Sequence, residues 1–183
     1  INFFGFLEQY KELGLAVAQY LYPEITEFHG VYFEYAPTPK NLYTNDNSAF
    51  DAALLVSAGD KKGIIGIECK YTEQFSQQEY STDRYIEIYN NSNIFIESYK
   101  VLATKEFNQL FRNQLLAESL IQSDKFDFAK TALFCNDKDL DTLNIASKYK
   151  ETISTGFEII TDFTFIEFLQ KMNLTQTQRE YTM

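Results

Sequence analysis

The sequence predicts an α/β fold in which a mixed central sheet is flanked by helices. Two short apolar runs joined by a polar, glycine-containing turn predict a strand hairpin at residues 48–71. A helix is predicted before this hairpin, and from residue 106 onward helices alternate with short strands. The order helix, three strands, helix, strand, helix, strand, helix is typical of a sheet that helices cover on both faces.

Length and composition indicate one globular domain over residues 1–183. Of the 183 residues 45% are hydrophobic, and 17 Phe and 13 Tyr without any Trp predict a strongly aromatic core. The polar end at residues 175–183 is expected to be frayed. No apolar run approaches the roughly eighteen residues of a membrane helix, and no basic segment followed by an apolar one opens the chain. We therefore expect a cytoplasmic protein with no membrane partner.

The first helix is predicted at residues 3–22, where apolar side chains recur at spacings of three and four until Pro23 ends the segment. Glu8 and Glu12 lie on its polar side, where exposure to solvent is the favoured interpretation. Residues 31–35 then predict a strand that ends before Pro37. Glu34 is the single carboxylate in this strand, and it is a candidate contributor to any site on the next strand.

The hairpin carries three charged side chains on otherwise apolar strands. Asp51 falls at the start of the first strand, and Glu68 and Lys70 fall near the end of the second. Because side chains alternate along a strand, Glu68 and Lys70 project from one face and Cys69 from the other. A buried charge is costly unless it is paired or bound to a metal. Either an ion pair on a solvated face or a functional site therefore accounts for these residues.

The segments next to the hairpin are polar. Residues 37–47 contain Pro-Thr-Pro and Asn-Asp-Asn and predict a loop that leads into the strand of Asp51. Residues 72–82 predict a flexible excursion or lid after Lys70. Residues 84–99 begin with helical spacing that a run of asparagines interrupts, so their structure is left open.

The second half of the chain predicts alternating helices and strands. A helix is predicted at residues 106–122, followed by a strand at 131–135, a helix at 140–152, a strand at 156–160 and a helix at 163–172. In the first of these helices, Gln109, Arg112 and Asn113 share a face outside the apolar stripe. A surface salt bridge of Arg112 and a functional contact are both open interpretations.

The cysteines and the single histidine predict no chemistry of their own. Cys69 and Cys135 lie in separate apolar segments without a Cys-x-x-Cys spacing, which favours two reduced core residues over a disulfide or zinc site. His29 has no Gly-x-Ser-x-Gly elbow to support a Ser-His-Asp triad. We expect His29 to be structural or on the surface.

At Asp51 and at Glu68-Cys69-Lys70 the sequence resembles the PD-(D/E)XK nuclease superfamily, in which an acidic residue on one strand is followed by (Asp/Glu)-x-Lys on the next. Phe50 stands where the motif's proline would be. Residues 33–37, 48–51, 66–71 and 109–117 together look like those of uncharacterised, restriction-endonuclease-like bacterial proteins. The resemblance implies a restriction-endonuclease-like αβββαβ core, to which this chain adds a C-terminal helix, strand and helix.

This resemblance implies a nuclease that hydrolyses phosphodiester bonds, with DNA as the expected substrate and a restriction or repair role. Asp51 and Glu68 would hold Mg²⁺, or Mn²⁺ as a substitute, and the backbone carbonyl of Cys69 would add a ligand. Lys70 would orient or deprotonate the attacking water. Arg112 would assist at a phosphate, for which a guanidinium is well shaped.

The net charge of the chain argues against this interpretation, and a further metal ligand and the oligomeric state are left open. A charge of -10 opposes an exposed nucleic-acid surface, because phosphate binding uses Lys and Arg. A locally basic cleft, bound cations or a protein partner that compensates for the acidic surface would offset it. Glu34 is the further candidate metal ligand, and a homodimer is possible because many relatives are dimers.

Three other functions stay open. The first is a catalytically inactive nuclease fold that serves as a binding or scaffold module. The second is a small-molecule enzyme on the same sheet, which the lack of a glycine-rich phosphate loop disfavours. The third is a structural protein in which Asp51, Glu68 and Lys70 pair with one another in contact with water.

Overall fold

The computed structural model of the protein describes residues 2–71, 75–76 and 78–171. Its centre is a five-stranded sheet whose spatial order follows the chain. The strands are β1 (Glu27–Tyr35), β2 (Phe50–Ala58), β3 (Lys61–Lys70), β4 (Phe128–Cys135) and β5 (Phe157–Thr161). The first three strands are antiparallel neighbours, whereas β3, β4 and β5 run parallel. This mixed sheet confirms the predicted fold class.

Helices cover both faces of the sheet. Among the described residues they are α1 (Asn2–Gln9), α2 (Lys11–Leu21), α3 (Asp83–Asn90), α4 (Tyr99–Leu102), α5 (Asn108–Gln122), α6 (Leu140–Glu151) and α7 (Asp162–Lys171). The two parallel connections, from β3 to β4 and from β4 to β5, run through helices, as parallel neighbours require. None of the helices in the described part of the chain has the length and apolar character that crossing a membrane requires.

Two local features differ from the sequence-based expectation, and a helix lies in the region whose structure was left open. The predicted first helix is two helices, because Tyr10 has φ -123° and ψ 78° and interrupts the helical backbone. The hairpin turn is shorter than expected: Gly59, at φ 60°, permits a tight reversal, so the strands extend to Ala58 and from Lys61. In the open region, α3 forms because the side chain of Thr82 caps it by accepting a hydrogen bond from the Tyr85 N–H.

Different helices bury the two faces of the sheet. Leu54, Ile65 and Phe134 pack with apolar side chains of α1, α2 and α7 on one face. On the other face, Ala53 and Ile64 pack against α5. Because side chains alternate along β3, the even-numbered residues from Ile64 onward face α5. The charged residues at the end of β3 therefore lie on the α5 side.

At one end of the sheet, which we call the sheet edge, four strands end and the fifth begins. Since β1 is antiparallel to β2 and β2 to β3, both β1 and β3 end where β2 begins. The parallel strands β4 and β5 end at the same edge, at Cys135 and Thr161. Asp51 near the start of β2 and Lys70 at the end of β3 therefore lie at this edge.

Candidate metal and catalytic site

Asp51 and Glu68 lie close together where β2 begins and β3 ends. The register between these strands ends at the pair Ala52 with Ile67, and Asp51 and Glu68 are the next residue on each strand. The charge of Asp51 acts on the carboxyl group of Glu68 and raises its pKa, second to burial. Asp51 Oδ2 accepts a hydrogen bond from the N–H of Cys69 at 2.8 Å, which holds this carboxylate against β3. The hairpin thus brings two carboxylates together without help from distant parts of the chain.

Glu68 is almost completely buried, with 6% of its surface exposed. Gln109 Nε2 donates a hydrogen bond to one carboxylate oxygen, and Asn113 Nδ2 donates to the other at 2.8 Å. Burial and then the charge of Asp51 raise the pKa of Glu68, against the lowering effect of the Asn113 hydrogen bond and of Lys70. A cation near both carboxylates would relieve this repulsion.

Lys70 completes the group from the same face of β3. Its ammonium lies 3.3 Å from Glu68 Oε1 and 5.4 Å from the centre of the Phe75 ring. Only 5% of Lys70 is exposed, so its charge is balanced by Glu68 rather than by bulk water. The structure therefore brings Asp51, Glu68 and Lys70 close together.

The sequence analysis placed Gln109 and Asn113 on one helix face but did not predict that they contact Glu68. They are four residues apart on α5, so one helix face directs both amides at Glu68. The Ser76 N–H donates to Gln109 Oε1 at 3.0 Å, which turns the amide's donor group toward Glu68. An i, i+4 pair of amides in the helix after the Glu-x-Lys strand was the available signal.

The segment after β3 rests on the start of α5. The side-chain amide of Asn108 accepts from Tyr80 N and donates to Tyr80 O, both at 3.1 Å. Residues 72–74 and 77 of the predicted lid lie outside the described residues. The described part of this segment is thus fixed to the helix that holds Glu68.

Arg112 occupies a separate polar cluster. Its Nη2 lies 3.3 Å from Asp46 Oδ2 and 3.2 Å from Ser48 Oγ, and its Nε donates to the hydroxyl of Tyr85 at 3.0 Å. Burial of Asp46 is outweighed by hydrogen bonds, led by those from Tyr85 and Ser48, so the pKa of Asp46 is lowered. These contacts tie α5 to the loop before β2, and the phosphate contact of Arg112 stays a prediction.

Glu34 lies on the strand beside Asp51. The pairs around it, Phe33 with Ala52 and Tyr35 with Phe50, align its backbone with that of Asp51. Its φ of 49° places it in the left-handed region, which is uncommon for a residue with a side chain, and the side chain is exposed. A role for Glu34 as a metal ligand stays a prediction.

The remaining candidate residues have structural positions. Glu8 accepts a hydrogen bond from the N–H of Val31 at 2.7 Å and so covers part of the outer side of β1, which pairs with no other strand there. His29 Nε2 lies 2.7 Å from the hydroxyl oxygen of Ser57, in a hydrogen bond. Cys69 and Cys135 are buried thiols that do not form a disulfide with each other.

The donor set fits a hard divalent cation that keeps several waters. Mg²⁺ is usually held by one or two carboxylates and retains waters in its other positions. Asp51 and Glu68 supply two carboxylates. The backbone carbonyl of Cys69 is an additional oxygen donor in the same short stretch, between Glu68 and Lys70. Across the described residues, no group of three or more His, Cys, Asp and Glu side chains is arranged to hold a metal.

Comparison with known proteins adds a family to this geometry. A family model described as the PD-(D/E)XK nuclease superfamily matches residues 1–182. No curated protein and no solved structure matches the chain significantly. The family match spans the hairpin, α5 and the whole described sheet.

Proposed function

Since the chain belongs to the PD-(D/E)XK nuclease superfamily, we propose that it is a metal-dependent nuclease that hydrolyses phosphodiester bonds of DNA. The observation that carries the proposal is the group at the sheet edge. Asp51 and Glu68 lie close together on adjacent strands, and Lys70 lies 3.3 Å from Glu68. Two carboxylates and a lysine are the residue types that the resemblance to the family motif implies for such hydrolysis.

Asp51 and Glu68 would hold Mg²⁺, with Mn²⁺ as a substitute, and the backbone carbonyl of Cys69 would be a third ligand. When bound, the cation supplies positive charge to the phosphate and lowers the pKa of a water molecule. Gln109 and Asn113 would keep Glu68 turned toward Asp51, because hydrogen bonds to a ligating carboxylate fix its orientation.

Lys70 would act on the attacking water and on the phosphate. Its ammonium group can orient a water by hydrogen bonding, and it can stabilise the negative charge that develops on the phosphate oxygens. Because Lys70 is buried, this charge acts with little screening by solvent. Glu68 holds the ammonium group in place before substrate binds.

Arg112 remains the proposed phosphate contact, in addition to its structural role. The hydrogen bonds described above engage its Nε and Nη2 atoms. Its Nη1 group is the part that we assign to a phosphate oxygen. Glu34 is proposed as a further ligand on the open side of Asp51.

The setting of the reaction is also a proposal. We place the protein in the cytoplasm, in DNA restriction or repair. A net charge of -10 makes unaided binding of DNA weak, so bound cations, a homodimer or a protein partner would compensate for the acidic surface.

A cleavage assay with Mg²⁺ or Mn²⁺ tests this proposal. We expect Asp51→Ala, Glu68→Ala and Lys70→Ala each to abolish cleavage of plasmid and oligonucleotide DNA while circular dichroism stays close to that of the wild type. Asp60→Ala is the matched control, because Asp60 lies in the turn at the other end of the same hairpin. Unchanged cleavage by folded Glu68→Ala would contradict the proposal, and loss of folding in all three variants would indicate a structural ion cluster.

A second candidate is a binding or scaffold module on an inactive nuclease fold. This candidate is favoured because protein groups already satisfy Glu68. Both carboxylate oxygens accept amide hydrogen bonds, and Lys70 balances the negative charge. Such a cluster can be stable without a metal. Measurable affinity for Mg²⁺ or Mn²⁺ that depends on Glu68 would argue against this candidate.

A further inference from the structure

Two fully buried side chains, one on α5 and one on α6, each carry a polar atom that has no hydrogen-bond partner among the described residues. The atoms are Gln114 Nε2 and the hydroxyl oxygen of Tyr149, and both residues have 0% of their surface exposed. A buried polar atom without a partner is costly, so native proteins rarely contain one unless a bound water or ion supplies the missing contact. The two atoms therefore indicate a ligand in the interior of the protein.

The Gln114 amide lies against β4 and against the residue before β5. Its Oε1 accepts a hydrogen bond from the Thr131 hydroxyl at 2.7 Å, and a Cβ on Gly156 would lie 3.7 Å from its Nε2. The Thr131 hydroxyl also lies 3.2 Å from the carbonyl oxygen of Gly156. Because that hydroxyl has a single hydrogen, exchanging the nitrogen and the oxygen of the amide would leave the oxygen without a partner instead of the nitrogen. In either orientation, one polar atom of Gln114 lacks a partner among the described residues.

Glu118 lies one helical turn after Gln114, on the same side of α5. Only 8% of Glu118 is exposed, and its Oε2 accepts a hydrogen bond from the Ser92 hydroxyl at 2.7 Å. Burial raises the pKa of Glu118, whereas Ser92 and then Gln114 lower that pKa. The amide and the carboxyl group are therefore near each other, although Gln114 Nε2 makes no direct hydrogen bond. A ligand between the two groups would connect them.

Two loops border the space beside these side chains. The Ile94 N–H lies 3.4 Å from the hydroxyl oxygen of Ser92, and the carbonyl oxygen of Ile94 accepts a hydrogen bond from the Ser154 N–H at 2.8 Å. Ser154 comes two residues before Gly156, which lies next to the Gln114 amide. The contacts thus form a closed path from one α5 side chain to the other.

The Tyr149 hydroxyl is the second buried atom near Glu118. The Tyr149 ring meets the Phe157 ring edge-on at a centroid distance of 5.1 Å, and Phe157 directly follows Gly156. Burial and then the charge of Glu118 raise the pKa of the Tyr149 hydroxyl. This hydroxyl, the Glu118 carboxyl group and the Gln114 amide therefore form one buried polar cluster.

The chemistry of this buried polar cluster favours a small neutral ligand that both donates and accepts hydrogen bonds. The amide N–H would repel a cation, and an ionised Glu118 would repel an anion. Water accepts a hydrogen bond from an N–H or a hydroxyl, and it donates one to a carboxyl oxygen. A buried water typically makes about three hydrogen bonds to polar groups, and the cluster offers three groups. Water also fits either orientation of the Gln114 amide.

We propose that a water molecule is bound in the interior of the protein between the Gln114 amide, the Glu118 carboxyl group and the Tyr149 hydroxyl, where it joins α5 to α6. The water supplies the missing partners of Gln114 and Tyr149 and gives Glu118 a further hydrogen bond. This inference is independent of the proposed hydrolysis, because none of the three residues belongs to the candidate metal and catalytic site.

A crystal structure of the protein, at a resolution that shows ordered water, tests the inference directly. We expect density for one water about 2.7–3.2 Å from a polar atom of each of the three side chains. No density in this position, or a direct hydrogen bond between Gln114 and Glu118 that fills it, would overturn the inference.

Tyr149→Phe tests the inference in solution, because the variant loses the hydroxyl and keeps the ring. If the hydroxyl binds the water, the equilibrium constant for unfolding in urea should rise about fivefold, the usual effect of one lost hydrogen bond. An unchanged or smaller constant would overturn the inference, since removing an unpartnered buried hydroxyl does not destabilise a protein. The matched control is Tyr89→Phe, which removes a hydroxyl that donates to the Glu97 carbonyl at the surface. Bulk water replaces that partner, so the constant should change by less than about twofold.

Unfolding of the wild type and of Tyr149→Phe in sodium, ammonium and tetramethylammonium chloride, at equal ionic strength, tests the nature of the ligand. We expect the difference between the two proteins to be the same in all three salts, because water is present in each. A difference that grows in sodium or ammonium chloride would identify a bound cation and overturn the inference.

Discussion

Glu68 has its charge balanced by protein groups instead of water. Its burial, the carboxylate of Asp51, the amide of Asn113 and the ammonium group of Lys70 determine its protonation. Burial and then the charge of Asp51 raise the pKa of Glu68, whereas Asn113 and Lys70 favour its ionised form. A metal binds the ionised form.

Removing the amide of Asn113 should weaken metal binding. Its hydrogen bond lowers the pKa of Glu68, so Asn113→Ala should raise that pKa further and leave the carboxylate less well oriented. We expect the Kd for Mn²⁺ to rise about tenfold, as is typical when a hydrogen bond to a ligand is lost. Isothermal titration measures it, with Gln122→Ala at the far end of α5 as the control. An unchanged Kd would show that Asn113 does not position Glu68.

Glu118 provides a pH-dependent prediction away from the site. It is buried, accepts a hydrogen bond from Ser92 at 2.7 Å, and burial raises its pKa. Because the folded state holds this proton more tightly than the unfolded state, the contribution of Glu118 to stability is present at low pH. It is lost as pH rises through the raised pKa.

Glu118→Gln removes this titration, since glutamine is neutral at every pH. Relative to the wild type, the variant should gain free energy of unfolding as pH rises, and the gain should vanish at low pH. Urea denaturation over a pH series measures the difference. A difference that does not change with pH would mean that the Glu118 carboxylate ionises equally well in both states.

At the scale of elements, β2 packs closely against β3 because Gly66 leaves room for the ring of Phe50. A Cβ on Gly66 would lie 2.5 Å from the ring of Phe50, which covers this position next to Asp51. The Phe50 ring thus packs over Gly66, and Phe50 is the residue before Asp51 in β2.

Gly66→Ala should therefore destabilise the protein by about 1–3 kcal/mol through overpacking. The control is Gly5→Ala in α1, where a Cβ would be 3.7 Å from the Phe33 ring in ordinary contact, so helix propensity should add up to about 1 kcal/mol of stability. Thermal and urea unfolding measure both variants. A Gly66→Ala protein as stable as the wild type would show that Phe50 can move away without cost.

The link between α5 and the loop before β2 depends on Arg112 and Asp46. Arg112→Leu and Asp46→Asn should each reduce the free energy of unfolding by about 1–3 kcal/mol, because each leaves a partly buried charged partner unsatisfied. The double variant should lose less than the two single losses together, by about 0.5 kcal/mol or more. Strictly additive losses in urea unfolding would contradict a direct interaction between the two side chains.

The sequence was sufficient for most of the helices and strands and for the closeness of the three charged residues of the hairpin. The alternation of apolar residues fixes the faces of the hairpin, so the approach of Asp51, Glu68 and Lys70 followed from local pattern alone. The choice among Gln109, Arg112 and Asn113 could not be made that way. All three share a helix face, and the angle at which α5 crosses the sheet decides which side chains reach Glu68. The interruption of the first helix at Tyr10 could not be predicted either, because apolar residues recur at helical spacing on both sides of it.

At the scale of the whole molecule, the topology concentrates chemistry at one edge of the sheet. The ends of β1, β3, β4 and β5 meet the start of β2 there, so residues far apart in sequence share one surface. The net charge is -10, and Lys70 and Arg112 near this edge are each paired with a carboxylate, so a phosphate that binds there has to compete with these ion pairs.

The central claim is that Asp51 and Glu68 form a divalent-metal site, and isothermal titration of Mn²⁺ into the folded protein tests it most directly. The wild type should bind the metal, Asp51→Asn and Glu68→Ala should lose that binding while remaining folded, and Asp60→Asn at the opposite end of the hairpin should bind as the wild type does. Binding that survives in both site variants, or its absence from the folded wild type even with nucleic acid present, would contradict the claim.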